Sequence, residues 1–302
     1  MSRAPAGLAS ADEIADDAAA VLRSTLTDLL RQALAQVAQI YFQASAWVGL
    51  VILAALAVVH PWAAAGMACA SVVALVVSRL ARLDRAAAEA GLFGYNAALT
   101  GAGLLSLFSP SPRIFAAVTL VGVASPLITA RWLRWGGLPP LTLQFVVFVW
   151  AALWLGDGVF GPGLAPPGCP AGPAIVPCGV GQVTFIAGAL PGLCVCAAIV
   201  WRAPIAGLWL IVGAALGGLG GRLGAEAQAV GLAVNAGLTA MGLAVSGRHP
   251  ALRLLGVALA AALCLLCARF AVPYFTLPFN LAAWTVLRIP ARTPADAAGA
   301  AA

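Results

Sequence analysis

The stretch GLFGYNAALTGAG, residues 91–103, contains four glycines, an asparagine, a tyrosine and a threonine among apolar side chains. A similar stretch, GLAVNAGLTAMG, occupies residues 231–242. Glycines let membrane helices approach each other closely, whereas polar side chains inside a membrane are costly unless they have a partner or a function. The two copies therefore predict a duplicated membrane unit in which this stretch lines a shared pathway.

The composition predicts an all-α polytopic membrane protein. Of the 302 residues, 63% are hydrophobic and 9% are charged, which is more apolar surface than a soluble domain of this size buries. A helix needs about 20 apolar residues to cross a bilayer. Ten segments are candidate spans: 37–59, 61–79, 91–108, 113–131, 141–155, 180–201, 204–221, 230–246, 251–268 and 279–289.

Proline-containing stretches lie at the start of the short fifth span and just before the short tenth one. They are LPPLTLQF, residues 138–145, and VPYFTLPF, residues 272–279. Broken backbone at membrane depth is tolerated only where protein or a water-lined cavity surrounds it. We therefore expect ten transmembrane helices plus two re-entrant half-helices, each leading into the final span of its unit.

All sixteen basic residues are arginines, and most lie at the ends of apolar segments. With the N-terminus inside the cell, 13 of them fall on the cytoplasmic side and three, Arg113, Arg222 and Arg269, on the other. Because basic residues accumulate on the cytoplasmic side, both termini are expected in the cytoplasm, and the membrane is expected to be a bacterial inner membrane. The arginines form no patch with interleaved aromatic residues, so nucleic acid is not an expected partner.

Two cysteines, Cys169 and Cys178, lie in the Gly/Pro-rich loop on the oxidising side of the membrane. The sequence leaves two states open for them, a disulfide and two free thiols. The other cysteines lack the histidine or acidic neighbours of a metal site.

The pattern of spans predicts five parts of the chain. They are an amphipathic interfacial N-terminal helix (1–36), a first five-span repeat (37–155), the periplasmic loop (156–179), a second five-span repeat (180–290) and a flexible C-terminal tail (291–302).

Three landmarks recur in the same order in both repeats. Gln39 corresponds to Gln182, Asn96 to Asn235 and Thr142 to Thr276, at offsets of 143, 139 and 134 residues. Because each repeat has an odd number of spans, the second is expected to enter the membrane inverted relative to the first. Inverted repeats place a substrate pathway at their interface near the bilayer midplane.

Four motifs together resemble the urea transporter family over residues 35–290. They are QIYFQASAWVGLVIL, GLFGYNAALTGAG, GQVTFIAGALPGL and TLPFNLAAW, in the order that the family has them. The resemblance implies a homotrimer in which each protomer has its own narrow pore and conducts urea down its gradient. It also implies a glutamine or glutamate near each pore mouth, flat slots beyond it, and one threonine from each half near the middle.

The sequence departs from the family pattern at two positions. Val234 stands where the family usually has an aromatic residue, so the second slot is either wider or rebuilt by Phe185, and Gln144 replaces a proline. Asn96 and Asn235 are expected to be structural and to bond backbone near the bends. By position, the implied pore residues are Gln39, Phe42, Tyr95, Leu99 and Thr142 in the first repeat and Gln182, Val183, Phe185, Val234, Leu238 and Thr276 in the second.

The acidic residues indicate how transport is driven. All ten lie outside the candidate spans, whereas a proton-coupled carrier usually needs an intramembrane acid or histidine. We therefore expect passive transport without a cofactor or a metal, with urea and the lipid bilayer as partners. Three alternatives stay open. The same fold could conduct another small neutral solute, such as a short amide or water, or, with less support, the chain could be a membrane-embedded enzyme or a Na⁺-coupled carrier.

Overall fold

A computed structural model describes the backbone of residues 11–161, 163–164, 168–170, 172–224 and 228–290, and this part of the chain is helical with no strand beyond one isolated bridge. Side chains are described for the same residues except 11–19, 157 and 222–224. The first ten residues of the predicted N-terminal part, the predicted tail 291–302 and Glu226 lie outside the described residues.

Among the described residues, the first half contains seven α-helices and the second half contains six. The first seven are α1 (Ala11–Gln39), α2 (Ala46–Val59), α3 (Pro61–Leu80), α4 (Arg85–Glu89), α5 (Tyr95–Leu107), α6 (Pro112–Trp135) and α7 (Leu143–Phe160), the last with a kink at Gly156. The others are α8 (Ile175–Gln182), α9 (Ala189–Arg202), α10 (Pro204–Gly224), α11 (Ala229–Val245), α12 (Pro250–Arg269) and α13 (Leu277–Leu287).

Proline at the first helical position explains why the starts of α3, α6 and α12 agree with the predicted spans within one residue. A proline at the first helical position lacks only an N–H that would have no partner in the helix. Three helices start this way after a side-chain cap: His60 Nδ1 accepts from Ala63 N before α3, Ser111 Oγ accepts from Ile114 N before α6, and His249 Nδ1 accepts from Ala251 N before α12.

Four of the described helices are long and apolar enough to cross a membrane by themselves: α3, α6, α10 over Pro204–Gly221, and α12. The shorter apolar helices, of 10–17 residues, are α2, α7 over Leu143–Gly156, α9, α11 and α13. The structure is therefore that of a helical membrane protein, and most of its predicted spans are shorter than a full bilayer crossing.

The first and sixth predicted spans are wrong as continuous helices. The segment 37–59 is broken between α1 and α2, and the segment 180–201 is broken between α8 and α9. At each break a phenylalanine has a positive φ, 57° at Phe42 and 62° at Phe185. A non-glycine residue in this region ends a helix, and neither break contains the proline that would have revealed it.

The two predicted half-helices are also wrong. Residues 138–142 and 272–276 are not helical, and the helices begin only at Leu143 and Leu277. Pro139, Pro140 and Pro273 cannot donate backbone hydrogen bonds, and positive φ angles of 45° at Leu141 and 46° at Phe275 turn the chain. We call residues 138–142 and 272–276 the first and second bent segments. The short helices α7 and α13 follow them directly.

Three predicted domain limits fall inside helices. The helix α1 continues past residue 36 to Gln39. Its apolar residues Leu22, Leu26 and Leu30 are exposed, whereas Gln32, Ala35 and Gln36 are buried against the protein. The predicted loop 156–179 is helical at both ends, because α7 runs to Phe160 and α8 begins at Ile175.

Corresponding helix pairs in the two halves pack through glycine. A Cβ on Gly66 of α3 would collide with the carbonyl of Gly101 in α5, and a Cβ on Gly213 of α10 would collide with the carbonyl of Ala236 in α11. This close approach brings the two glycine-rich stretches into the centre of the molecule, where every residue from Tyr95 to Ser106 and from Leu232 to Leu243 is buried.

Candidate pore and solute pathway

Two cavities of similar size lie on opposite sides of a pair of threonines. The first has a volume of about 270 Å³ and the second about 250 Å³. The first is lined by Gln39, Ile40, Phe42, Leu92, Tyr95, Thr129, Leu133, Pro139, Pro140, Leu141 and Thr142. The second is lined by Leu107, Phe145, Gln182, Val183, Phe185, Val230, Gly231, Val234, Tyr274, Phe275 and Thr276.

The two cavities meet at a hydrogen bond between threonine hydroxyls. Thr142 lines the first cavity and Thr276 the second, and their Oγ1 atoms are 2.8 Å apart. Each residue is 3% exposed. The junction of the cavities therefore carries two hydroxyls that can each donate and accept a hydrogen bond.

Asn280 supports the threonine pair and was missed by the sequence analysis. Its Nδ2 donates to Thr142 Oγ1 at 3.2 Å and to the carbonyl of Thr276 at 2.8 Å, and its Oδ1 accepts from the backbone N–H of Thr142 at 3.0 Å. The corresponding residue of the first repeat is Val146, so a comparison of the repeats could not reveal it. A buried asparagine within an apolar helix was the available signal.

Asn96 and Asn235 make the same two hydrogen bonds in their respective halves. Asn96 Nδ2 donates to the carbonyl of Leu141 at 2.9 Å, and its Oδ1 accepts from Phe145 N at 3.2 Å. Asn235 Nδ2 donates to the carbonyl of Phe275 at 2.8 Å, and its Oδ1 accepts from the N–H of the corresponding Phe279 at 2.9 Å. Each amide therefore fixes a bent segment and caps the first turn of the helix that follows.

Tryptophans from each half hold the bent segment of the other half. Trp284 Nε1 donates to the carbonyl of Pro139 at 2.8 Å, and Trp150 Nε1 donates to the carbonyl of Pro273 at 2.5 Å. Both donors and both acceptors are 134 residues apart, the same offset that relates Thr142 to Thr276. These anchors were not predicted from the sequence, because an indole near the end of an apolar helix is common at membrane interfaces.

Phenylalanines cross between the halves in the same way. The rings of Phe42 and Phe279 pack edge to face at a centroid distance of 6.2 Å, and those of Phe185 and Phe145 do so at 6.0 Å. A Cβ on Gly242 would lie 3.2 Å from the Phe42 ring, and one on the corresponding Gly103 would lie 3.1 Å from the Phe185 ring. The last glycine of each repeated stretch thus makes room for an aromatic ring from the other half.

Corresponding residues also contact each other directly at a second point. The hydroxyl of Tyr41 lies 3.3 Å from Oγ1 of Thr184, its counterpart at an offset of 143 residues. The same hydroxyl donates to the carbonyl of Val180 at 2.7 Å. All these groups are buried, so the breaks near Phe42 and Phe185 are fixed against one another.

Leu99 and Leu238, which the resemblance assigns to the slots, line neither cavity. Both are completely buried, one helical turn deeper than Tyr95 and Val234 on α5 and α11. Neither cavity reaches that turn of its helix. The other nine implied pore residues do line one cavity or the other.

The two departures from the family pattern have structural explanations. Gln144 is buried, and its side chain accepts from Ser125 Oγ at 3.0 Å and donates to Thr129 Oγ1 at 2.8 Å, both on α6. Its amide is thus satisfied within the protein and lines neither cavity. At Val234 the second cavity is no larger than the first, because Tyr274 and Phe275 add aromatic bulk from another wall.

The residues that line the two cavities carry no charge. Within the described ranges, no acidic or basic side chain lines either cavity, and no group of three potential metal ligands occurs. Two exposed ion pairs lie away from the cavities, Arg31 with Asp28 on α1 and Arg85 with Glu89 on α4. The hydrogen bond from the Arg85 guanidinium holds the pKa of Glu89 below its usual value. An uncharged passage of this kind gives an ion nothing to replace its hydration.

A disulfide joins Cys169 and Cys178. Cys178 lies buried in α8, four residues before Gln182, and its sulfur also accepts from the backbone N–H of Gly188 at 3.3 Å. The sequence left the disulfide open and placed both cysteines in a loop. In the structure the bond ties residue 169 to the helix that ends at the second cavity.

Comparison with known proteins identifies one match. A family model described as Urea transporter matches residues 30–290, which is most of the chain and includes both cavities. The match confirms the resemblance drawn from the four motifs. No curated protein matches the sequence at a significant level.

Proposed function

This chain belongs to the urea transporter family and transports urea passively across a membrane, and we propose that it does so as a channel through the two cavities that meet at Thr142 and Thr276. The observation that carries this proposal is the hydroxyl pair at the junction of two uncharged cavities. Membership of this family indicates a transporter and not an enzyme.

The chemistry of urea fits the lining of the cavities. Urea is neutral and planar, with one carbonyl acceptor and four N–H donors around its edge. In the first cavity, Gln39 offers both a donor and an acceptor, and the rings of Phe42 and Tyr95 can cover the flat faces. Gln182 and Phe185 offer the same combination in the second cavity. Solute edges then keep hydrogen bonds while the faces contact apolar walls.

Passage through the middle requires an exchange of partners. The hydroxyls of Thr142 and Thr276 bond each other in this structure. When urea reaches them, each hydroxyl gives up that bond and makes one to the solute, so no buried polar group is left unpaired. A missing bond at this point would cost about 1–3 kcal/mol. Asn280 holds Thr142 in place during the exchange.

The architecture we propose is two inverted five-span repeats around one pore. Two features support it: corresponding residues contact each other at Tyr41–Thr184 and Thr142–Thr276, and the tryptophan anchors are exchanged between halves. In any two-fold arrangement, a residue on the axis meets its own counterpart and every other contact occurs twice. The ten spans of this proposal include short helices together with their bent segments.

The orientation we propose places the first cavity toward the cytoplasm and the second toward the outside. The arginine distribution supports this arrangement, which also puts both termini in the cytoplasm of a bacterium and the disulfide on the oxidising side of its inner membrane. A homotrimer with one pore per protomer follows from the family resemblance. The exposed residues Leu22, Leu26 and Leu30 of α1 would then lie in the membrane interface.

Stopped-flow flux in proteoliposomes tests this function. Urea flux should be linear in its gradient and unchanged by a proton ionophore or by removal of Na⁺. Accumulation of urea against its gradient that collapses with the ionophore would contradict a channel. Parallel measurements with formamide, acetamide and glycerol decide whether another small neutral solute is the better substrate.

A further inference from the structure

The large side chains that line the two cavities lie on different walls. In the first cavity, the bulk on the helix side comes from Leu92, just before α5, and from Tyr95 at the start of α5, and the first bent segment contributes Pro140 next to Leu141. The corresponding positions in the second cavity pair a smaller helix wall with a larger segment wall. They are Gly231 and Val234 on α11 and Tyr274 and Phe275 on the second bent segment.

Tyr274 packs directly on α11, the helix that carries the small residues Gly231 and Val234. A Cβ added to Gly231 would collide with the phenol oxygen and would lie 2.9 Å from Cζ of Tyr274. Val234 follows three residues later, on the same face of α11. The phenol therefore occupies the space that any side chain at 231 would fill, one turn from the position where an aromatic residue is absent.

A hydrogen bond fixes this position of the ring. The hydroxyl of Tyr274 is 3.0 Å from Oε1 of Gln228, which is the N-cap residue of α11. The ring is thus attached to the same helix that it covers. With the ring in place, the second cavity has a volume of about 250 Å³, close to the 270 Å³ of the first.

We infer that Tyr274 is a specificity-determining residue of the second cavity, with Gln228 as its positioning residue. Its ring takes the place of the aromatic residue missing at Val234 and excludes solutes that are bulkier than urea by one or more methyl groups. Gly231 is the notch that admits the ring. This inference rests on the proposed function, since it assumes that the second cavity belongs to the solute pathway.

The test uses right-side-out membrane vesicles loaded with urea, in which 1,3-dimethylurea is added outside at constant osmolarity. Efflux of urea is measured by stopped flow, and the inhibition constant of dimethylurea reports its access to the second cavity. Dimethylurea is used as an external competitor, and its own flux is not measured. Its flux would also depend on the first cavity, which could stay selective and hide a change in the second.

Tyr274→Ala is expected to lower the inhibition constant of 1,3-dimethylurea about tenfold or more, because a hydrophobic pocket discriminates by about that factor for each methyl group. Tyr274→Phe and Gln228→Ala keep the ring but lose its hydrogen bond, and each should give a smaller decrease. Leu92→Ala is the matched control: it widens the first cavity, which dimethylurea does not reach from outside, so the constant should stay at the parent value.

Two results would overturn the inference in distinguishable ways. If Thr276→Val slows urea efflux but Tyr274→Ala leaves the inhibition constant unchanged, the pathway stands and the role of Tyr274 is refuted. If Thr276→Val and Thr142→Val both conduct urea like the parent, the proposed pathway fails and the role of Tyr274 fails with it. Should Tyr274→Ala not fold, an unchanged constant in Tyr274→Phe and Gln228→Ala together refutes the inference.

Discussion

Replacing Thr276 by valine removes one hydroxyl from the junction of the two cavities and keeps nearly the same shape. In the parent, Thr142 and Thr276 can exchange their mutual 2.8 Å bond for bonds to urea. In the variant, the solute meets a methyl group at that point and goes without one bond. The barrier should rise by about 1–3 kcal/mol, which slows flux roughly five- to 150-fold, since each ~1.4 kcal/mol is a factor of ten.

Thr276 is a better target than Thr142 because of Asn280. The hydroxyl of Thr142 accepts a hydrogen bond from the Asn280 amide, so Thr142→Val also leaves that buried donor with fewer partners. The hydroxyl of Thr276 bonds Thr142, while its contact with Asn280 is made through its backbone carbonyl, which valine keeps. A loss of flux in Thr276→Val therefore reports the pathway with the smaller change in stability.

The assay is urea flux in proteoliposomes, normalised to the amount of protein incorporated. Thr276→Ser keeps a hydroxyl and should conduct within about a factor of two of the parent, well inside the loss predicted for one bond. Thr239→Val is the matched control, because this buried threonine donates to the carbonyl of Asn235 in its own helix. It should leave flux unchanged.

One result would refute the reasoning. If Thr276→Val conducts urea as fast as the parent at equal incorporation, the hydroxyl pair does not line the constriction. An equal slowing by Thr239→Val would also contradict the argument, because it would show that any lost hydroxyl in this core reduces flux.

Three further predictions test other parts of the structure. Trp284→Phe removes the donor to the first bent segment and should lower stability by about 1 kcal/mol, seen as a lower melting temperature in detergent than the parent has. Cys169 and Cys178 should resist labelling by an external thiol reagent until a reductant is added; labelling of untreated cells would contradict the disulfide. Val234→Phe should slow urea flux because Tyr274 already fills the slot, and Val234→Phe/Tyr274→Ala should restore it; equal flux in all three proteins would contradict the exchange of bulk.

The starts of three helices could be predicted because each begins with a proline. The starts of α3, α10 and α12 at Pro61, Pro204 and Pro250 agree with the apolar pattern within one residue. The breaks after α1 and α8 could not be predicted, because Phe42 and Phe185 have positive φ angles that phenylalanine does not favour. Tertiary packing against glycines of the other half holds those rings and overrides the local preference.

The candidate site was predictable as far as the repeat is symmetric. Thr142 and Thr276 correspond to each other in sequence and bond each other in the structure. Asn280 and Tyr274 could not be predicted in this way, because the corresponding residues of the first repeat are of other types, Val146 and Pro140. Such differences carry no signal in a search for matched pairs, yet they decide how the centre is supported and how the second cavity is shaped.

The exchanged tryptophans have a consequence for how the chain is made. The first bent segment is synthesised long before Trp284, the residue that donates to its Pro139 carbonyl. A nascent chain that ends before residue 284 therefore has a complete set of first-half helices but no anchor for that segment, and it also lacks Thr276 if it ends earlier still. We expect a cysteine placed at Leu141 to react quickly with a thiol reagent in ribosome-stalled chains shorter than 284 residues and slowly in the finished protein. Synthesis of the last helix would then be the step that closes the passage and prevents an incomplete chain from making the membrane leaky.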